Sequence, residues 1–283
     1  MTVLAPSLDG ALTRAASLRD YLALCKPRIT CMVVATGVAG ALAARVRPTA
    51  SSLYALVGTT LIVAGANVLN MWIERDTDAR MERTRNRPLA AGRIAPNAGL
   101  VFGLALSLLA IPLLLACNAR VALLGVVALV IYAAVYTPLK RTTMWALPIG
   151  AVAGAMPPAM GHVAVTGSFD CGALYLFAVL FAWQLPHFVA IAMVRADEYS
   201  AAGLAIGQTR ARWMLMISAV LFVALTVPAA PVAAIATGAA FLALCVRAVL
   251  PGASRRRARE VFAFTMGHLA VVLVAMRIDW PWR

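Results

Sequence analysis

Asn70, Glu74 and Asp78 recur at every fourth position in the run N-V-L-N-M-W-I-E-R-D-T-D, residues 67–78. On an α-helix that spacing stacks three oxygen-bearing side chains along one face, with a drift of roughly 40° per step. Asn67, seven residues before Glu74, falls on the same face and adds a fourth donor. Hard divalent cations such as Mg²⁺ take oxygen ligands and share them with substrate phosphates, so the array suits an ion held between carboxylates and a diphosphate. The alternative is a helix end at a membrane interface whose acids pair with Arg75 and Arg80. Polar groups at membrane depth are costly and usually functional, which favours the ion site. The following R-T-R-N-R-P-L, residues 83–89, sets Arg83, Arg85 and Arg87 on alternate positions. Guanidinium forks match phosphate oxygens, and a purely topological role for these arginines gives no reason to interleave them with acids.

The elements that must position these residues are membrane helices. Of the 283 residues, 63% are hydrophobic and 13% charged, against about 45–50% and about 25% in a soluble domain. Residues 48–73, 94–119, 121–139, 142–169 and 171–194 contain no Asp, Glu, Lys or Arg. Each meets the roughly 20 apolar residues that a crossing needs. The charge-free run 213–246 is too long for one span, and Pro228 and Pro231 near its middle read as a turn that makes it two. Residues 29–44 and 261–276 are shorter, with Arg28, Arg45 and Arg277 able to snorkel to the interface. The prediction is an all-α polytopic bundle of nine transmembrane helices around a central cavity, spanning residues 29–283, with residues 1–28 as an N-terminal tail.

A net charge of +14 would point to nucleic acid in a soluble protein, but here the basic residues lie between spans. With the N-terminus inside, 20 of the 25 Lys and Arg fall on inner segments, leaving Arg45, Arg47, Arg120, Arg277 and Arg283 outside. That bias predicts a cytoplasmic N-terminus and no nucleic-acid partner. Six of the eleven acidic residues crowd into two inner segments, 74–93 and 195–212, so the chemistry is expected on that face. Lys140 and Arg141, at the inner end of the fourth span, can neutralise diphosphate charge there. The five cysteines are scattered, without a Cys-x-x-Cys pair, and read as apolar fillers. No apolar run precedes Tyr21, which argues against a cleaved signal peptide.

Asn70, Glu74 and Asp78 followed by R-T-R-N-R-P-L resemble the first aspartate-rich motif of the membrane-embedded aromatic prenyltransferase superfamily. Further stretches are similar to its haem O synthase branch: residues 74–89, Y-T-P-L-K-R-T-T at 136–143, G-A-V-A-G-A-M-P-P-A-M-G-H at 150–162, W-Q-L-P-H-F at 183–188 and R-A-D-E-Y-S-A-A-G at 195–203. The resemblance runs from about the first span to the seventh. It implies that Asn70, Glu74 and Asp78 hold Mg²⁺ and a farnesyl diphosphate, with Lys140 and Arg141 assisting catalysis and Asn67, Arg83, Arg87 and Tyr136 against substrate. Asp197 and Glu198 become a second metal-binding acidic site, beside Tyr199. Haem B is the implied acceptor, the lipid bilayer of a bacterial inner membrane the setting, and terminal oxidase assembly proteins the partners to look for.

Gln184 and His187 are spaced i, i+3, and Glu198 lies eleven residues past His187, so a continuous helix brings all three near one face. An imidazole inside a span is a functional candidate and can coordinate haem iron; the alternative is a histidine bonded to a neighbouring helix. His162 and His268 are weaker candidates. Gly150, Gly154 and Gly161 let helices approach closely or leave space for a flat ligand. The chain departs from the branch at Ala146, at His162 and over residues 204–210, the last adjoining the second acidic site.

The expected chemistry is electrophilic: Mg²⁺ and basic groups stabilise the leaving diphosphate, an allylic cation forms, and a haem vinyl group attacks it. Rival readings are a prenyltransferase for an aromatic quinone precursor, which W-Q-L-P-H-F disfavours, and a non-catalytic membrane haem carrier, which would have no use for the array on residues 70–78.

Overall fold

The computed structural model is described over residues 16–143, 145–197, 208–250 and 254–279, and within these residues it is helical without a β-strand. The order is α1 (Leu18–Leu24), α2 (Pro27–Ala43), α3 (Ala50–Asp78), α4 (Pro96–Cys117), α5 (Ala119–Val130), a π-helical turn (Ile131–Tyr136), α6 (Thr137–Leu139), α7 (Ala146–Thr166), α8 (Cys171–Val194), α9 (Gln208–Thr226), α10 (Pro231–Val249) and α11 (Arg255–Asp279). Among the described residues eight helices are long and apolar enough to cross a membrane, with α5, the π turn and α6 forming one of them, and the pair α1–α2, bent by 48°, makes nine. Large apolar side chains such as Leu53, Val101, Leu108, Leu123, Ile217 and Val274 stand exposed along these helices. Such a surface is an aggregation hazard in water and the lipid-facing belt of an integral membrane protein.

The described part of the N-terminal tail, from residue 16, packs against the bundle. It is helical from Leu18, where Ser17 and Asp20 close a capping box. Leu24 is buried with Val68, Met71, Leu89 and Ile94, and Arg93 Nε donates to Asp20 Oδ1 at 2.8 Å. α1 thus fastens to the end of α3 and the connection after it.

At 29 residues α3 is about 43 Å long, well beyond a hydrocarbon core of about 30 Å. Its last turns therefore reach past the hydrocarbon, and those turns carry Asn70, Glu74 and Asp78.

α7 stands at the centre. Its Met156, Ala159, Met160 and Val163 pack with α3, α4 and α5, while Ala155 joins the core built by α8 to α11. Toward α2 it presents backbone: a Cβ on Gly40 would run into the Pro158 carbonyl oxygen, and one on Gly161 into that of Gly37. Pro157 and Pro158 leave carbonyls of the preceding turn without their helical donors, and the small residues allow the two backbones to meet. At the far end of α7, His162 Nε2 lies 2.9 Å from Asp170 Oδ1, and Asp170 caps α8 by accepting from the Ala173 N–H.

Burial raises the Asp170 carboxyl, but the Ala173 N–H and the His162 and Ser168 side chains outweigh it and hold the group below the ordinary 3.8. A lowered folded-state value stabilises the fold above the unfolded value and is lost as the pH falls through it. Asp170→Asn keeps the cap and loses the charge. The wild-type chain in detergent should therefore melt above the Asp170→Asn variant at about pH 6, the gap closing as the pH falls below 3.8.

Candidate active site

Asn70, Glu74 and Asp78 face one way, as the spacing predicts, and are buried at 1%, 8% and 4% exposure. Burial of two carboxylates demands cations, and three separate segments supply them. Lys26, between α1 and α2, donates its Nζ to Asn70 Oδ1 at 2.7 Å. Lys140, after α6, sits 2.8 Å from Glu74 Oε1, and Arg87, from the connection after α3, 2.6 Å from Asp78 Oδ2. Asn70 Nδ2 donates to Glu74 Oε2 and to Thr137 Oγ1, both at 3.1 Å. Lys140 and Arg87 balance the two carboxylates and Lys26 adds a third basic donor, so the cluster is built to receive an anion.

The π turn explains how Thr137 comes to face Asn70. Its wider winding shifts the register of everything after residue 131, and such turns occur often at functional sites. Thr137 Oγ1 donates to the Tyr132 carbonyl at 2.7 Å. Tyr132 and Tyr136 stack with centroids 5.5 Å apart, and Lys140 Nζ lies 5.3 Å from the Tyr136 ring centre. Gly150 makes room for that ring, since a Cβ there would meet Tyr136 Cδ2 at 2.7 Å.

Other expected residues are arranged differently. Asn67 turns to α2, its Nδ2 donating to Thr30 Oγ1 at 3.2 Å. Arg141 reaches the Ile73 carbonyl at 3.3 Å. Arg83 lies exposed on the connection, and Arg87 turns to Asp78.

Gln184 and His187 turn to different neighbours. α8 ends at Val194 and the chain breaks from helical geometry at Arg195. Gln184 Nε2 donates to the Ala151 carbonyl of α7 at 3.0 Å, whereas His187 turns to α11, its Nδ1 2.8 Å from Thr265 Oγ1. The Thr265 hydroxyl donates its one proton to the Phe262 carbonyl at 2.7 Å. It therefore accepts from His187, which fixes the proton on Nδ1 and leaves the Nε2 lone pair available. The imidazole is held between Trp183 and Phe262, at 4.6 and 4.8 Å. Asp197 is 77% exposed and pairs with Arg255; Glu198 and Tyr199 lie outside the described residues.

The sequence reading passed over Lys26 and Thr137. Lys26 adopts a left-handed backbone, φ 47°, uncommon for a residue with a side chain and found where a site demands it. A signal was available: Lys26 and Lys140 are the only lysines among 25 basic residues, and both reach the Asn70–Glu74 pair.

An oxygen array of one amide and two carboxylates fits Mg²⁺, which takes one or two protein carboxylates and completes its shell with phosphate oxygens. Among the described residues no three acids, histidines or cysteines converge on one point.

The sequence matches the UbiA prenyltransferase family over residues 32–270. The chain belongs to that family and is a membrane-embedded prenyltransferase. Among its relatives are proteins named protoheme IX farnesyltransferase. That of Sorangium cellulosum is 48% identical over 247 residues, covering 82% of this chain and 88% of the relative. That of Anaeromyxobacter dehalogenans is 40% identical, covering 98% and 99%. In fold the chain is similar to a digeranylgeranylglyceryl phosphate synthase, with a TM-score of 0.79 over 93% of this chain and 98% of that one at 17% identity. It is also similar to a UbiA homologue from Archaeoglobus fulgidus bound to GPP and Mg²⁺, with a TM-score of 0.60 over 91% and 99% at 16% identity.

A hydrogen bond to a charged group contributes about 1.5–3 kcal/mol, or roughly 10- to 100-fold in binding. Lys26→Met and Lys140→Met should each weaken binding of Mg²⁺–pyrophosphate by that factor in calorimetric titration.

Proposed function

We propose that the chain transfers the farnesyl group of farnesyl diphosphate to a vinyl group of haem B, with addition of water, to give the hydroxyethylfarnesyl haem known as haem O. The observation that carries this reading is the buried Asn70, Glu74 and Asp78 array ringed by Lys26, Arg87 and Lys140. The names of the relatives supply the acceptor, and the concentration of basic residues on inner segments supports a site at the cytoplasmic face of a bacterial inner membrane.

Mg²⁺ on Asn70, Glu74 and Asp78 would neutralise diphosphate charge. The allylic C–O bond breaks heterolytically, its electron pair leaving with the diphosphate. Lys26, Lys140 and Arg87 are preorganised donors for the charge that develops there, in a site where low dielectric strengthens each contact. The vinyl π electrons of the acceptor form the new C–C bond, water captures the resulting cation, and a proton is released. No nucleophilic side chain is required. His187, with its Nε2 lone pair available and its ring clamped between aromatics, is the residue best prepared to meet the haem; Gln184 and Arg141 contribute by fixing α7 against α8 and the α6 end against α3.

Purified protein given haem B, farnesyl diphosphate and Mg²⁺ should yield haem O by mass spectrometry, and Glu74→Gln or Asp78→Asn should lower the rate at least about 100-fold. A wild-type protein that binds both compounds and prenylates an aromatic quinone precursor instead would overturn the haem reading and keep the prenyl-transfer one. Unaltered haem binding in both variants, with no haem product from any form, would favour a carrier.

A further inference from the structure

Two apolar cavities lie end to end beside α7. The inner one, of about 100 Å³, is bounded by α2, α3, the α5 segment and α7, and has Asn67 and Tyr132 at the end nearest the carboxylate array. The outer one, of about 210 Å³, runs on between α2, α3 and α7 as far as Leu42, Pro48 and Ser52. Their walls share two residues, Pro157 and Met160.

The two shared residues differ in freedom. Pro157 is fixed by its ring, and its carbonyl faces Gly37 of α2, 3.2 Å from where a Cβ there would stand. Met160 is a buried, unbranched side chain whose Cε lies beside Gly125, near Ile62 Cδ1 and Leu114 Cδ1. Its side chain lies in the wall common to both cavities. From Asn70 to Ile62, α3 rises about 12 Å, and from Ile62 to Ser52 about 15 Å more. The first distance suits a short prenyl tail whose diphosphate sits at Asn70 to Asp78; the second is spare length behind the barrier.

We propose that the inner cavity receives the hydrocarbon tail of the prenyl diphosphate and that Met160 is its floor, setting the longest chain the protein accepts. This rests on the prenyl-transfer reading above. A substrate one isoprene unit longer must displace the Met160 thioether, whereas removing that side chain joins the cavities and accommodates the extra unit without moving backbone.

The test is a competition. Wild-type protein, Met160→Ala, Met160→Val and Met160→Leu each receive haem B, Mg²⁺ and equal farnesyl and geranylgeranyl diphosphate, and the two prenylated haems are weighed by mass spectrometry. Loss or gain of a methylene in an apolar pocket changes relative kcat/KM by about 10- to 200-fold. Met160→Ala should raise the geranylgeranyl to farnesyl ratio at least about tenfold, Met160→Val should raise it less, and Met160→Leu should leave it near the wild-type value. An unchanged ratio in a Met160→Ala or Met160→Val protein that still uses farnesyl diphosphate overturns the floor. So does an equal rise in Met160→Leu. Wild-type protein that turns over neither donor with any acceptor overturns the prenyl-transfer reading itself, and the floor with it.

Discussion

Glu74 and Asp78 are two carboxylates held out of water at the end of a helix whose remaining length is set in hydrocarbon. Removing one partner from a buried ion pair typically costs about 3–5 kcal/mol, so the surrounding chain is obliged to deliver a cation to each. The obligation reaches across the sequence: Lys140 is 66 positions from Glu74, Arg87 comes from the connection after α3, and Lys26 arrives from the turn before α2. Much of the architecture at this end serves those deliveries. α1 is fastened through Asp20 and Arg93, the connection after α3 is wound back on itself, and the π turn brings Thr137 and Lys140 round to meet Asn70 and Glu74.

At the other end of the molecule the governing constraint is space rather than charge. α2 and α7 meet through Gly37, Gly40 and Gly161 against one another's carbonyl groups and those of Pro157 and Pro158. Because both halves of the core pack on α7, this seam fixes the distance between the helix that begins at Lys26 and the one that walls the apolar cavities. Site geometry and cavity shape are therefore set by one contact made almost wholly of backbone.

The spans were legible because charge is so costly in hydrocarbon that its absence marks them; even the two-proline turn between α9 and α10 follows. The array on α3 was legible because four-residue spacing is local. Lys26 was not, since its partner is 44 positions away and nothing local announces a left-handed residue before Pro27. The directions of Gln184 and His187 were not legible either. α8 is apolar on every side and packs against both α7 and α11, so its periodicity gives no hint of which neighbour a polar group will find. The π turn, similarly, left no mark in the residues that form it.

The chain uses arginine for almost all of its positive charge and reserves lysine for two positions, both against the same asparagine–glutamate pair. Arginine is always charged and serves at the membrane edge, whereas an ammonium is a compact charge with three rotatable donors. The consequence is chemical: apart from the N-terminal amine, every primary amine in the protein reports from one place. Beyond the N-terminal amine, an amine-selective acylating reagent would act as a footprint of that place, with bound anion shielding both lysines.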